Sequence, residues 1–491
     1  MVNNVEIITE EVFKSSNVVE RKISLPDGAD EKIISVTAVS NITETEVLDG
    51  EIVYGGKTVF TILYDDNGAI SKQEAGVEFS YKIQVKGVKN GDIVWLTAKT
   101  SGEKATTLNG ITTVSAVVTV TAISAQKNVV ETALITNDFL TKTAEAETLT
   151  EVSCLVKTAV IEDEFELNYA VKDVLCHDER MVLKTSDAGI GVINLSGELE
   201  VTAYLNKLDG DDVVKEVKTI PFNLEFECAD VYPACVVSTE ITVNDCLIKA
   251  YVDEGKNKSN FAIECTVSIL SKAFENVKYN VVLDAYSVSN ELSLQKEKIL
   301  FNKVLRRNVC MNTINGEILA EISKNDRLIC VFGVKIENEE YELIDNSLNA
   351  TGILSAVAVY KGDNGLNKVE ITAPYNVNCP LNGNSFNLAK VKASGVDIRL
   401  TPNGFSYSYN LYVYYNDILN QTETIVKTVE LGNEKVKNTS AISVFVPKKG
   451  ETLWDASKAL GVSEEEILKY NENLETPFTG EERVIIFREV N

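Results

Sequence analysis

The sequence predicts an all-β protein: three tandem, divergent β-sandwich or barrel-like domains followed by a small βααβ module. Residues 30–435 alternate apolar and polar positions and are rich in Val, Ile, Thr and Tyr, with Gly, Asn and Asp at the breaks. Helical periodicity is scarce before residue 450. Related segments recur along the chain, which indicates three repeated structural units of roughly 120–140 residues each.

The clearest hairpin signal lies in the segment KTVFTILYDDNGAISKQ, residues 57–73. A strand is predicted through Tyr64, and Asn67-Gly68 supplies the positive φ angles that tight hairpin turns require. Segment 48–85 recurs loosely at 195–228 and, more weakly, at 348–379. Its second strand ends in each copy at an aromatic residue, which we expect to pack in a core and not to form a binding surface. These pivot residues are Phe79, Phe222 and Tyr375.

The later halves of the units also resemble one another, at 112–124, 260–272 and 405–417. In the third copy strict alternation predicts one buried face and one half-exposed face, the latter carrying Tyr412 and Tyr414. Self-assembly through an exposed edge strand of this composition remains an alternative. The predicted buried face consists of Phe405, Tyr407, Tyr409, Leu411, Val413 and Tyr415. The predicted domains span residues 1–145, 146–297, 298–440 and 441–491.

The charge balance excludes some partners. With 73 acidic and 47 basic residues the chain carries a formal net charge of −26, which disfavours nucleic-acid backbones and anionic membrane surfaces. No apolar run approaches the length of a membrane span, so we expect no membrane insertion. The N-terminal residues show no secretory signal pattern, so a cytoplasmic location is expected.

Nine cysteines are scattered without a CxxC spacing, and we expect them to be mostly small buried apolar residues in a reducing compartment, with disulfide or zinc roles as alternatives. The chain has one histidine, His177, flanked by Cys176 and Asp178. Neighbouring residues on a strand face opposite ways, so these three cannot form a nucleophile–base pair. No phosphate-binding, hydrolase or metalloprotease motif is present. We therefore predict a protein that is not an enzyme and holds no cofactor or metal.

Residues 443–487 break the β pattern and read as strand, helix, helix and strand. Gly461 is placed to end the first helix, and Ser463 to begin the second. Apolar residues at helical spacing predict a small core. The predicted core residues are Trp454, Leu460, Ile467 and Leu468.

This module closely resembles a LysM module, through Lys449-Gly450-Glu451-Thr452-Leu453-Trp454, Gly461-Val462-Ser463 and the final VIIF strand. LysM modules generally bind N-acetylglucosamine polymers in a shallow groove between two loops. Two places depart from the usual LysM pattern: Thr479-Gly480-Glu481 replaces the usual Pro-Gly-Gln, and Ala456 replaces the usual Ile of the first helix. Carried over by position, the partner- or glycan-binding groove comprises Gly450, Glu451, Thr452 and Leu453 against Asn473, Leu474, Glu475 and Pro477.

Residues 18–68 resemble the start of a SPOCS domain, and the second and third copies match it more loosely. SPOCS domains with one C-terminal LysM module are typical of the SipL-like family of spore-coat morphogenetic proteins. The resemblance implies a non-enzymatic sporulation scaffold on the mother-cell side of the forespore surface. Its LysM module would dock to a coat morphogenetic ATPase, and other coat proteins would be further partners. The alternatives are a peptidoglycan-binding protein and a hub protein of a phage tail or contractile injection system.

Overall fold

The computed structural model describes residues 3–26, 32–66, 68–90, 92–108, 110–133, 139–210, 212–253, 257–363, 365–436, 440–471 and 474–488. Nearly all of the described chain is β-strand, and two short helices lie near its C-terminus, which confirms the all-β class. Within these residues, no helix combines the length and the apolar character that a membrane crossing would need.

The strands before the C-terminal module fall into three consecutive groups of six. The first group is β1 (Asn3–Ile23), β2 (Ile33–Leu48), β3 (Glu51–Asp66), β4 (Ala69–Gln84), β5 (Val94–Leu108) and β6 (Ile111–Thr132). The second is β7 (Leu140–Leu167), β8 (Val171–Ala188), β9 (Val192–Lys207), β10 (Val213–Glu227), β11 (Val236–Asp253) and β12 (Lys258–Tyr286). The third is β13 (Asn290–Leu319), β14 (Arg327–Ile344), β15 (Ser347–Gly362), β16 (Gly365–Pro380), β17 (Ser385–Thr401) and β18 (Gly404–Glu434).

The three groups have the same antiparallel topology. In each, the second, third and fourth strands form a meander, giving the orders β2-β3-β4, β8-β9-β10 and β14-β15-β16. The first and fifth strands flank the sixth in another sheet, giving β1-β6-β5, β7-β12-β11 and β13-β18-β17. One six-stranded arrangement therefore occurs three times along the chain. The four domain limits given above remain a prediction.

A glycine faced by an aromatic ring recurs in all three meanders. Each pivot aromatic residue stands directly opposite a glycine on the neighbouring strand, in the pairs Gly56 with Phe79, Gly197 with Phe222, and Gly352 with Tyr375. A Cβ on Gly197 would lie only 2.5 Å from Cζ of Phe222, so the ring occupies the space that a side chain would take. The pivot residues are at most 8% exposed, which confirms that they belong to cores.

The face predicted to be half-exposed in 405–417 is instead partly covered. Tyr414 is 7% exposed, and its hydroxyl donates to the carbonyl of Leu183 in the second group, at 3.0 Å. Its strand, β18, is the central strand of its sheet, so the prediction that it could assemble as an exposed edge is wrong. The predicted buried face is confirmed at Phe405, Tyr409, Leu411, Val413 and Tyr415, while Tyr407 is half-buried.

Four very long strands, from the second and third groups, contribute to a core that all three groups share. β7, β12, β13 and β18 contain 28, 29, 30 and 31 residues. Their ends pack together with the start of β1, and the cluster they form draws on all three groups. We call this cluster the ribbon core: Val5, Ala146, Val281, Ile299, Phe301 and Ile425.

The cysteines are mostly free, but one pair is bonded. Cys246 and Cys265 face each other across β11 and β12 and form a disulfide, with Cα atoms 4.1 Å apart. The expectation of a small buried apolar residue is therefore wrong for this pair, because strand register places the two sulfur atoms together. The free cysteines include Cys176, Cys228, Cys235, Cys310, Cys330 and Cys379.

Candidate functional site

The C-terminal module, residues 442–488, contains β19 (Ile442–Phe445), α1 (Leu453–Leu460), α2 (Glu464–Tyr470) and β20 (Val484–Phe487), and β19 pairs antiparallel with β20. Asp455 accepts from the backbone N–H of Thr452, at 2.8 Å, as part of a capping box at the start of α1. Gly461 ends this helix with φ 66°, a conformation that glycine adopts without strain. Ser463 caps α2 by accepting from the backbone N–H of Glu466.

The core of this module differs from the predicted one. It consists of Ala456, Val462, Ile467, Phe478, Val484 and Ile486. Ile467 is fully buried there, and Leu460 packs against it from a partly buried position. Leu468 is 46% exposed, because it follows Ile467 by one residue and so points about 100° away around the helix. Trp454 is buried, but it packs against another part of the chain and lies outside this cluster.

The two loops predicted to form the groove are joined by backbone hydrogen bonds. The N–H of Gly450 donates to the carbonyl of Phe478 at 2.8 Å, and the N–H of Phe478 donates to the carbonyl of Glu451 at 2.7 Å. Gly450 and Glu451 of the first loop therefore lie beside Phe478 of the second. Of the predicted groove residues, Asn473 lies outside the described part of the chain.

The predicted groove residues differ in what their side chains do. Glu451 accepts from the backbone N–H of Lys448 at 2.7 Å and so shapes its own loop. Leu453 and Leu474 pack against the module core, while Glu475 and Pro477 are exposed. Gly450 has φ 92°, which favours glycine, and Thr452 caps α1. The side chains of Glu475 and Pro477 are thus the ones best placed to contact a partner.

A contact that the sequence did not reveal joins the module to the end of β12. The indole Nε1 of Trp454 donates to Oδ2 of Asp284 at 3.0 Å, and its ring meets that of Tyr286 edge-on with centroids 4.9 Å apart. The hydroxyl of Tyr286 donates to the carbonyl of Val462 at 2.6 Å. Lys458, on α1, adds an ion pair to Asp284 at 2.6 Å. We call this contact the module–body interface.

Asp284 is the acidic residue that the cations of the module–body interface share. A second cation, Lys296 on β13, lies 3.1 Å from its Oδ1. Burial works to raise the pKa of this carboxyl, but hydrogen bonds from Lys458, Trp454 and Lys296 outweigh it and lower the pKa to about 2. The carboxylate is therefore charged at neutral pH and holds three donors from two parts of the chain. The groove residues Glu475 and Pro477 are exposed in this docked arrangement of the module.

His177 belongs to a network of ion pairs on β8. Its Nδ1 contacts the Glu179 carboxylate, and Arg180 donates to Glu200 at 3.2 Å. Asp178 accepts from the backbone N–H of Val334, in the third group, at 3.3 Å. The network thus links the second group to the third. Across the described ranges, no three His, Cys, Asp or Glu residues are grouped so that they could hold a metal ion.

These features define a class: a protein of three six-stranded β groups that presents a small βααβ module on the end of one of its longest strands. Residues 31–105 match the family model described as SipL, SPOCS domain. That segment includes β2, β3 and β4 and most of β5. This part of the chain is therefore similar to the SipL family, which is consistent with a non-enzymatic role in sporulation. No curated protein matches the chain.

Proposed function

We propose that this protein is a non-enzymatic scaffold of spore-coat assembly that presents a LysM-type module for docking to a coat morphogenetic ATPase. The SPOCS-domain match over residues 31–105 is the observation that carries the proposal. In this view the three six-stranded groups are SPOCS-type units, which provide a platform and contacts for other coat proteins. The protein acts on the mother-cell side of the forespore surface.

The geometry of the C-terminal module supports a docking role. One side of the module is occupied, because Trp454 and Lys458 on α1 contact the body. The joined loops carry exposed Glu475 and Pro477 and remain accessible. A surface held in one orientation loses less conformational freedom on binding than a tethered one, which favours affinity.

The charge of the chain favours a protein partner over a cell-wall glycan. A net charge of −26 repels the carboxylates of wall peptides, although salt screens this effect at physiological ionic strength. The exposed carboxylate of Glu475 suits a basic patch on a partner, which would add steering and specificity. Binding of N-acetylglucosamine polymers by the same groove is the alternative outcome of the test below.

The proposal is tested with Glu475→Lys in the full chain. We expect this charge reversal to weaken binding to the purified coat ATPase by about 10-fold or more, in the range typical of an interface charge. Glu465→Lys on α2 is the matched control, since Glu465 is exposed on the same module but outside the two loops, and it should leave affinity unchanged. Glu451 is a poorer test, because its side chain also shapes the loop.

The same proteins are then offered purified peptidoglycan. Saturable binding to sacculi that Glu475→Lys abolishes, with no binding to the ATPase, would overturn the docking proposal and establish the sugar-binding alternative. Hydrogen exchange across α1 and α2 verifies that each variant keeps the fold of the module.

A further inference from the structure

A cavity lies where the second and third groups meet, and Ile123 of the first group also reaches it. Its volume is about 70 Å³. A cavity needs roughly 10–15 Å³ by this measure to hold one water molecule, so this one has room for a small ion. Its wall contains apolar residues such as Met181 and Leu270, together with an unusual concentration of basic side chains.

Two of these cations are hydrogen-bonded to main-chain carbonyls. Arg307, on β13, donates to the carbonyls of Val237 and Thr239 at 3.1 and 3.0 Å. Lys392, on β17, donates to the carbonyl of Ile241 at 3.4 Å. These carbonyls alternate along β11, an edge strand of its sheet, so the third group covers an edge of the second. The acceptors are neutral carbonyls, so these hydrogen bonds do not themselves neutralise the two positive charges.

The acids around the cavity do not neutralise these two cations by contact. Glu240 lines the cavity but forms an ion pair with Lys390. Among the described residues no ion pair involves Arg307 or Lys392, and the Arg307 guanidinium lies over the Tyr414 ring, 5.8 Å from its centroid. Arg307 and Lys392 are half-buried, and a cation partly withdrawn from water without a paired anion costs free energy unless an anion or water compensates it.

Burial lowers the pKa values of both cations. It lowers the pKa of Arg307 to about 10, while Tyr414 and Asp187 act against the decrease. It also lowers the pKa of Lys392, where Glu240 and Glu339 oppose the decrease and Lys390 and Lys99 add to it. Glu339 is engaged in an ion pair with Lys99. Arg307 remains charged at neutral pH, so the cavity keeps a cationic wall.

A buried amide completes the site. Asn416 stands directly opposite Arg307 across β13 and β18, lines the cavity and is only 1% exposed. Its Nδ2 donates to Oδ1 of Asn387 at 3.0 Å, whereas its Oδ1 has no hydrogen-bond partner among the described residues. The loss of a partner for a buried acceptor costs about 1–3 kcal/mol, so a ligand that donates a proton there is favoured.

We propose that this cavity binds a small oxyanion that carries a proton, with hydrogen phosphate as the prototype. Its negative oxygens accept from Arg307 and Lys392, and its P–OH group donates to Oδ1 of Asn416. Chloride lacks such a donor, and an unprotonated carboxylate lacks it as well. The three proposed ligand residues all belong to the third group, on β13, β17 and β18, so occupation of the site would stabilise that group where it faces β11 of the second.

The experiment is calorimetric titration of the full chain with inorganic phosphate at pH 7 and constant ionic strength, with acetate and chloride in parallel. One saturable site per chain is expected for phosphate, with binding at least 10-fold weaker for the other two anions. Lys392→Gln keeps a donor for the carbonyl of Ile241 but removes the charge, and should weaken phosphate binding by about 10-fold or more. Lys249→Gln, at an exposed position of β11, is the matched control and should bind like the wild type.

A second variant keeps the proposal testable if Lys392→Gln fails to fold. Asn416→Asp supplies a carboxylate of the same shape within the cavity, so it should abolish phosphate binding and raise the thermal midpoint in phosphate-free buffer. The absence of a saturable phosphate site in the wild type, or equal affinity in wild type and Asn416→Asp, would overturn the proposal.

Discussion

The indole N–H of Trp454 donates a 3.0 Å hydrogen bond to the Asp284 carboxylate, which lies 170 positions earlier in the chain. The bond connects helix α1 of the C-terminal module to the end of strand β12. The most conspicuous aromatic residue of the module therefore serves attachment to the body, while smaller residues around Ile467 build the module core. Folding of the module and its docking are consequently separable by mutation.

Trp454→Ala should undock the module without unfolding it. The substitution removes an edge-on aromatic contact with Tyr286 and one charge-assisted hydrogen bond, together worth about 2–4 kcal/mol. Hydrogen exchange measured on the full chain should show at least 10-fold faster exchange at the end of β12. The backbone amides of α1 and α2 should stay as protected from exchange as they are in the wild type.

Ile467→Ala provides the contrast to Trp454→Ala. Ile467 is fully buried in the module core, and its truncation should cost about 2–5 kcal/mol and expose α1 and α2 to exchange. If Trp454→Ala removed protection from both helices to the same extent, Trp454 would have to be counted in the core of the module after all.

Docking should weaken in acid through Asp284. The pKa of this carboxyl is lowered from 3.8 to about 2, so its contribution is fully present above about pH 4 and is lost as the pH falls through 2. Asp284→Asn keeps an acceptor for Trp454 but loses both lysine ion pairs. We expect weaker docking at pH 7 and no further weakening between pH 4 and pH 2.

Tryptophan fluorescence can follow this transition. The chain has two tryptophans, so a Trp95→Phe background leaves Trp454 as the reporter. An acid transition of equal amplitude in the Asp284→Asn variant would assign the titration to another group.

Local sequence patterns predicted the parts of the structure that depend on local physics. Strand alternation gave the all-β class, and the aligned aromatic residues Phe79, Phe222 and Tyr375 proved to be core residues because each meets a glycine across the sheet. Contacts between distant parts of the chain produce no repeating pattern in the local sequence, so they could not be predicted in this way. The docking of Trp454 on Asp284, the cover over Tyr414 and the disulfide of Cys246 with Cys265 all depend on how sheets meet or on strand register.

The glycine–aromatic pairs should be sensitive to a single methyl group. Gly197→Ala places its Cβ within 2.5 Å of the Phe222 ring and 2.3 Å of the carbonyl of Val182, so the ring or the strand must move. Overpacking of this kind costs about 1–3 kcal/mol, and we expect a decrease of that size in the free energy of unfolding of the second group. Denaturant unfolding of the full chain, with exchange in β9 and β10 as the local probe, measures it.

The double variant Gly197→Ala/Phe222→Leu tests whether the Phe222 ring causes the destabilisation by Gly197→Ala. Leucine withdraws the ring atoms closest to the new methyl group, so the two changes should be less than additive. Full additivity would mean that the clash with the Val182 carbonyl, and not the ring, determines the cost of Gly197→Ala.

Asp178→Asn should stabilise the chain near neutral pH. Burial raises the pKa of this carboxyl from 3.8 to about 6, although Arg180 acts to lower it. The folded state therefore binds the Asp178 proton more tightly than the unfolded state does. The stabilisation that this proton gives to the folded state is fully present below about pH 3.8 and is lost as the pH rises through 6. Asparagine can still accept from the N–H of Val334, and it never acquires the buried negative charge.

The thermal midpoint of Asp178→Asn should therefore exceed that of the wild type at pH 7–8, with the difference disappearing toward pH 4. Burial works to lower the pKa of His177, but Glu179 and also Asp178 raise it, so the difference between the two proteins reports the coupled titration of Asp178 and His177. Arg180 keeps Glu200 as a partner at 3.2 Å and is not left unpaired by the substitution. A lower midpoint for the variant at pH 7 would show that attraction to Arg180 outweighs the cost of burying the Asp178 carboxylate.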